Sequence, residues 1–91
     1  MKYRYLSSFD RSFEKLPSEK QAAAEEAVAH LLGFFRTREK TEGLGLKKLR
    51  GAFWEVRAGL ATRILFTLGE GVVTFVLAGD HDDIRERLRR L

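Results

Sequence analysis

Residues 44–85 constrain this chain most. Three strand-length apolar runs, at 52–57, 62–68 and 72–78, follow one another with little between them. Each is rich in β-branched and aromatic residues, and only Gly69, Glu70 and Gly71 separate the last two, a tight-hairpin signal. Parallel neighbours need crossovers of a dozen or more residues, so connections this short predict an antiparallel meander. Alternation sorts its faces. Ile64, Phe66 and Leu68 share one side of the second run, and Arg63, Leu65 and Thr67 share the other. In the first run Trp54 and Val56 oppose Phe53, Glu55 and Arg57. If Trp54, Val56, Ile64 and Phe66 lie under a covering layer, Arg57 and Arg63 project together from the open face.

The first half of the chain supplies that layer. Residues 2–6, Lys-Tyr-Arg-Tyr-Leu, alternate with period two and read as a short strand. Ser7 and Ser8 suit a helix start, Phe9, Phe13 and Leu16 follow at helical spacing, and Pro17 ends the segment. Ser18 opens a longer helix, with Gln21 at the capping-box spacing. Its apolar stripe is Ala24, Ala27, Val28, Leu31, Leu32 and Phe35, opposite Lys20, Glu25, Glu26 and Arg36. The two helices read as an αα-hairpin laid on the sheet. The charged run at 36–45, with glycines at 43 and 45, reads as a solvated loop.

Composition narrows the function classes. Ninety-one residues with 44% hydrophobic content make one small domain, residues 1–91, with no internal repeat. There is no cysteine, so a disulfide scaffold and a thiolate metal site are excluded. No stretch approaches the roughly 20 apolar residues of a membrane span, and no signal-peptide run follows the start, so a cytoplasmic protein without a membrane partner is expected. The net charge of +4 favours RNA, DNA or an acidic protein as partner.

The last segment has acids at 82 and 83 and arginines at 87, 89 and 90, the polarity a helix macrodipole prefers. Ile84, Leu88 and Leu91 give it a thin apolar edge. His81, just before it, has two readings. Histidine can move a proton near neutral pH, or it can bond Asp80 or Asp82 and order the turn. As a metal site the segment is poor, because neighbouring residues rarely converge on one ion and His30 lies on a distant helix.

The ordered pieces LKKLRG-AFWEVRAGLATRILF and VVTFVLAGDHDDI, preceded by a strand and a helical pair, resemble the RelE/ParE superfamily of toxins over nearly the whole chain. The resemblance implies an α+β single domain, β-α-α-β-β-β with a short C-terminal helix, its antiparallel sheet packed on the αα-hairpin. RelE-like members are ribosome-dependent messenger-RNA endonucleases, and ParE-like members inhibit DNA gyrase. Both are neutralised by a cognate antitoxin. The implied partners are therefore an acidic antitoxin and the ribosome with its messenger RNA, gyrase being the alternative. No cofactor, metal or obligate small-molecule ligand is implied.

By the same resemblance Arg63 matches the arginine that opens the central strand in active members, Arg57 a second basic position, and His81 a histidine near the end of the last strand. These three are the catalytic candidates. Attack of a ribose 2′-hydroxyl on its phosphate builds a phosphorane with extra negative charge, which arginines stabilise while an imidazole moves protons. Lys47, Lys48, Arg50 and Arg85 are the candidate RNA contacts. Two positions depart from the pattern: Arg85 stands where many relatives carry tyrosine, and Glu55 where some active members use lysine. A non-catalytic module of the same fold, binding RNA or protein, is thus the alternative.

Overall fold

The computed structural model describes residues 1–38 and 44–91. The elements run β1 (Lys2–Tyr5), α1 (Ser7–Glu14), α2 (Ser18–Thr37), β2 (Leu46–Lys48), β3 (Phe53–Ala58), β4 (Thr62–Gly69), β5 (Val72–Gly79) and α3 (His81–Arg89). They form one five-stranded sheet in the order β1-β5-β4-β3-β2, with α1 and α2 on one face and α3 on the other. The expected α+β architecture and the β3-β4-β5 meander are both present.

Two features go beyond the sequence reading. The sheet is mixed, because β1 pairs parallel to β5 from Lys2 opposite Val72 to Tyr5 opposite Phe75. A fifth strand, β2, pairs antiparallel with β3, so Lys47 lies opposite Glu55 and Lys48 opposite Trp54. Three residues that include two lysines give no readable alternation. The expected loop at 36–45 is also shorter at its start, since α2 continues through Thr37 and ends on Arg38 at φ 63°. Residues 39–43, including Gly43, lie outside the described residues.

The alternation on β3 and β4 holds. Val56, Ile64 and Phe66 are fully buried under α1 and α2 with Leu31, Val73 and Phe75, while Trp54 is only half-buried against that core. Tyr5 stacks on Phe75 at a centroid distance of 5.0 Å, meets the Phe9 ring at a tilt at 5.1 Å, and closes the core at the β1 end. The opposite face is not open throughout. Ile84 and Leu88 of α3 cover Leu65, Val76 and Leu77, and the cluster reaches Leu49 and Phe53 at the β2–β3 corner.

Between β4 and β5 the register shifts. Leu65 faces Leu77 and Phe66 faces Phe75, so Val76 is one residue extra on β5. The bulge puts Val76 beside Leu77 in the α3 cluster, and its carbonyl accepts from Ser8 Oγ at 2.6 Å.

The helix starts differ from the sequence reading. Ser18 and Gln21 form no capping box: Pro17 precedes α2 without a side-chain cap, and Gln21 Nε2 instead donates to the Phe13 carbonyl at 3.0 Å. Ser7 and Ser8 do not cap α1, whose Ncap position is Leu6. The capping box lies at α3. Asp80 accepts from the Asp83 amide at 2.8 Å, and Asp83 accepts from the Asp80 amide at 2.9 Å.

Candidate functional site

The geometry starts from one row across the sheet. Arg57 on β3 faces Arg63 on β4, which faces Gly79 on β5. All three lie on the face that carries α3. Directly opposed like charges on neighbouring strands repel, and Glu55, two residues before Arg57 and on the same face, answers them. Its carboxylate takes a hydrogen bond from Arg63 Nη1 at 2.8 Å. Glu55 is 4% exposed and is the one charged residue buried among the described residues. Arg63 is therefore tied to a buried carboxylate. Arg57 stays exposed and carries no ion pair among the described residues. Lys47, opposite Glu55 on β2, is exposed beside it.

Two close approaches hold this row in place. Gly45 lies against Arg57: it has φ +68°, accepts the Arg57 amide at 3.2 Å, and a Cβ there would sit 2.8 Å from the Arg57 Cβ. Gly79 lies under Asp83, and a Cβ at 79 would sit 2.6 Å from the Asp83 carboxylate. These contacts fix the start of α3 over the end of the arginine row.

From there α3 crosses the sheet diagonally toward the β2–β3 corner, where Arg50 Nη2 donates to the Leu88 carbonyl at 2.9 Å. Ile84 and Leu88 face the sheet, and Asp83, Glu86, Arg87 and Arg90 form the flank toward α1. The helical period of 100° per residue then places His81 and Arg85 on the other flank, toward β3 and β4. Both are exposed. His81 is the first residue of α3, and the turn before it is ordered by Asp80 with Asp83, not by the imidazole. The hydrogen bond from the Asp83 amide holds the Asp80 carboxyl below its usual range.

The structure thus brings together Arg57, Arg63 and Lys47 on the sheet, with His81 and Arg85 on the near flank of α3. It does not bring Lys48 or Arg50 to that surface as free cations. Lys48 turns to the other face, its Nζ 5.9 Å above the Trp54 ring, because it is one residue out of phase with Lys47. Arg50 is bound to the α3 carbonyl. Sequence reasoning placed Glu55 on the open face and missed its burial, which no periodicity signals. Among the described residues no three His, Cys, Asp or Glu side chains converge as a metal site, and no helix is long and apolar enough to cross a membrane.

No family model and no curated protein matches the sequence. Solved structures do match. In the RelBE2 toxin–antitoxin complex from Mycobacterium tuberculosis the matched chain is 21% identical, with 88% of this chain and 96% of that one covered at a TM-score of 0.66. In the RelB–RelE antitoxin–toxin complex from Methanococcus jannaschii the values are 13%, 91%, 95% and 0.66. The chain has the RelE/ParE toxin fold. A YoeB/ParE toxin from Agrobacterium tumefaciens matches at 21% identity over 89% of this chain and 99% of that one, with a TM-score of 0.63. Coverage of 88–91% of this chain and 95–99% of the matched ones means that the shared fold extends over most of the domain.

Proposed function

We propose that this chain is the toxin of a type II toxin–antitoxin pair and that it acts on RNA as a ribosome-dependent messenger-RNA endonuclease. The observation that carries the reading is the Arg57–Arg63 row beneath the His81 and Arg85 flank of α3, in a fold whose solved relatives are toxins. An RNA strand lying along this flank would meet exposed cations on two sides. As the 2′-oxygen attacks phosphorus and the bond to the 5′-oxygen breaks, Arg57 and the free donors of Arg63 would stabilise the phosphorane. His81 would pass the proton lost by the 2′-hydroxyl or gained by the departing 5′-oxygen. The partners in this reading are the ribosome with its messenger RNA and an acidic antitoxin, in the cytoplasm.

The second reading is a non-cleaving module of the same fold. Two observations favour it: the Glu55 carboxylate already occupies one donor of Arg63, and Arg85 stands in place of a tyrosine. The test is induced expression in a bacterial host, followed by primer extension on messenger RNA bound to programmed ribosomes. Growth arrest with cleavage that is lost in Arg57→Ala supports the nuclease. Growth arrest without cleavage supports the module, and no arrest overturns the toxin reading. Arg57 is the residue to change because it is exposed and its removal leaves no buried partner behind.

A further inference from the structure

α1 packs over β5 and α2 over β3 and β4, and a groove of ≈540 Å³ opens between the two helices. Its floor is apolar, with Phe9, Ala24 and Val28 all buried. Three rings line one side, Tyr5 meeting Phe9 at 5.1 Å and Phe9 meeting Phe13 at 5.9 Å. A mostly apolar cleft of this size with a few polar groups at its rim has the build of a small-molecule site.

Its charge runs against that of the molecule. The chain carries +4, yet the charged residues that line this groove are Asp10 on α1 and Glu25 on α2. Both are exposed, and neither has an ion pair among the described residues. Their fields reach the rings. The Tyr5 hydroxyl is pushed above its ordinary pKa of 10.0 by burial first, then by Tyr3, Asp10 and Glu25. Aromatic faces attract a cation through their quadrupoles, and a carboxylate on each wall adds Coulomb attraction. Both walls are helices, whose backbone groups are spent internally, and the Phe13 carbonyl is further taken by Gln21. An extended peptide would therefore find no main-chain partner here. We propose that the α1–α2 groove binds a small aromatic ammonium ion. Its ring rests on Phe9, Phe13 and Val28, and its charge is drawn to Asp10 and Glu25. The site lies on the helical face of the sheet, opposite the row of Arg57 and Arg63.

Amide shifts of the isotope-labelled full chain, titrated at low salt, test this with three probes that share one ring: cationic tryptamine, neutral skatole and anionic indolepropionate. Tryptamine should move amides of α1 and α2 around Asp10 and Glu25 saturably, binding at least about threefold tighter than skatole and about tenfold tighter than the anion. Asp10→Asn/Glu25→Gln should erase that ranking. Glu19→Gln/Glu70→Gln changes the net charge equally at exposed positions outside the groove and should keep it. Ala29→Leu narrows the groove from an exposed helix position and should weaken all three probes, which keeps the test open if the acid variants disturb folding. Equal affinity for the three probes, shifts that map to another surface, or no saturation would overturn the proposal. Movement of the same amides with protein concentration alone would give the groove to a second copy of the chain, and would overturn it too. Growth arrest enters none of these measurements, so failure here leaves the toxin reading standing, and the reverse.

Discussion

The Arg63 guanidinium lies 2.8 Å from the Glu55 carboxylate, whose side chain is 5% exposed against 24% for the arginine. The pair is therefore asymmetric: Arg63 can turn to solvent if its partner is lost, and Glu55 cannot. Arg63→Ala strands a buried carboxylate and should destabilise the domain by about 2–4 kcal/mol, whereas in a Glu55→Gln background the same change should cost less than about 1 kcal/mol. A urea double-mutant cycle measures this. Equal costs in both backgrounds would show that the pair is not coupled. Loss of activity in Arg63→Ala alone cannot be assigned to chemistry, which is why Arg57 is the cleaner probe.

Binding of RNA should follow the exposed cations. Arg57→Ala and Lys47→Ala should each reduce the slope of log affinity against log salt by roughly one, as for the loss of a phosphate contact. Lys48→Ala, on the other face over Trp54, should leave the slope unchanged. Titrations of a single-stranded oligonucleotide across a salt series would decide it, and a drop for Lys48 would place the RNA elsewhere.

The core offers a graded test. Phe66 is fully buried, and Phe66→Ala should cost about 3–5 kcal/mol. Trp54 is half-buried, so Trp54→Ala should cost less despite its larger side chain. Thermal melts that rank the two the other way would contradict the packing described for β3 and β4.

Gly79 has no left-handed backbone to excuse it. Its smallness is demanded by Asp83, and Gly79→Ala should push that carboxylate out of the capping box, costing about 1 kcal/mol or more. Amide exchange should quicken first in the opening turn of α3, and uniform protection along the helix would refute this.

Acid should act on the same turn. The Asp80 carboxyl is held below its ordinary value of 3.8, chiefly by the bond from the Asp83 amide. A depressed folded value means that the contribution is present above the unfolded value and is lost as pH falls through the folded one. Protection of the α3 start should therefore hold down to about pH 4 and fade below it. Replacement by Asn, which still accepts the bond, should remove the pH dependence.

Strict alternation along Arg63-Ile64-Leu65-Phe66 made the sheet faces legible, because burial under α1 and α2 leaves period two no freedom. That Arg57 and Arg63 share a face was legible for the same reason, whereas their direct opposition is a matter of register. What was not legible depended on contacts between distant segments. Gln21 fits a capping box by spacing, yet its side chain is taken by the Phe13 carbonyl of α1, a contact between separate elements that spacing does not show. Glu55 reads as an outward-facing charge, and its burial under the Arg63 guanidinium is a cross-strand contact that alternation alone does not show. Lys47 and Lys48 read alike, and a three-residue strand sends them to opposite faces.

Val76 is a spare residue in the counting of the sheet. Phe75 and Ala78 both face the core although three positions apart, and they can do so because the bulge absorbs one place between them. Removing Val76 would leave Phe75 opposite Phe66 and Leu77 opposite Leu65, every other pair still in phase. Removing Val73 would throw the strand out of step with β1 and β4 alike. Length variation in this domain thus has one site on β5 where a deletion is read as a straightening of the strand and not as a change of frame.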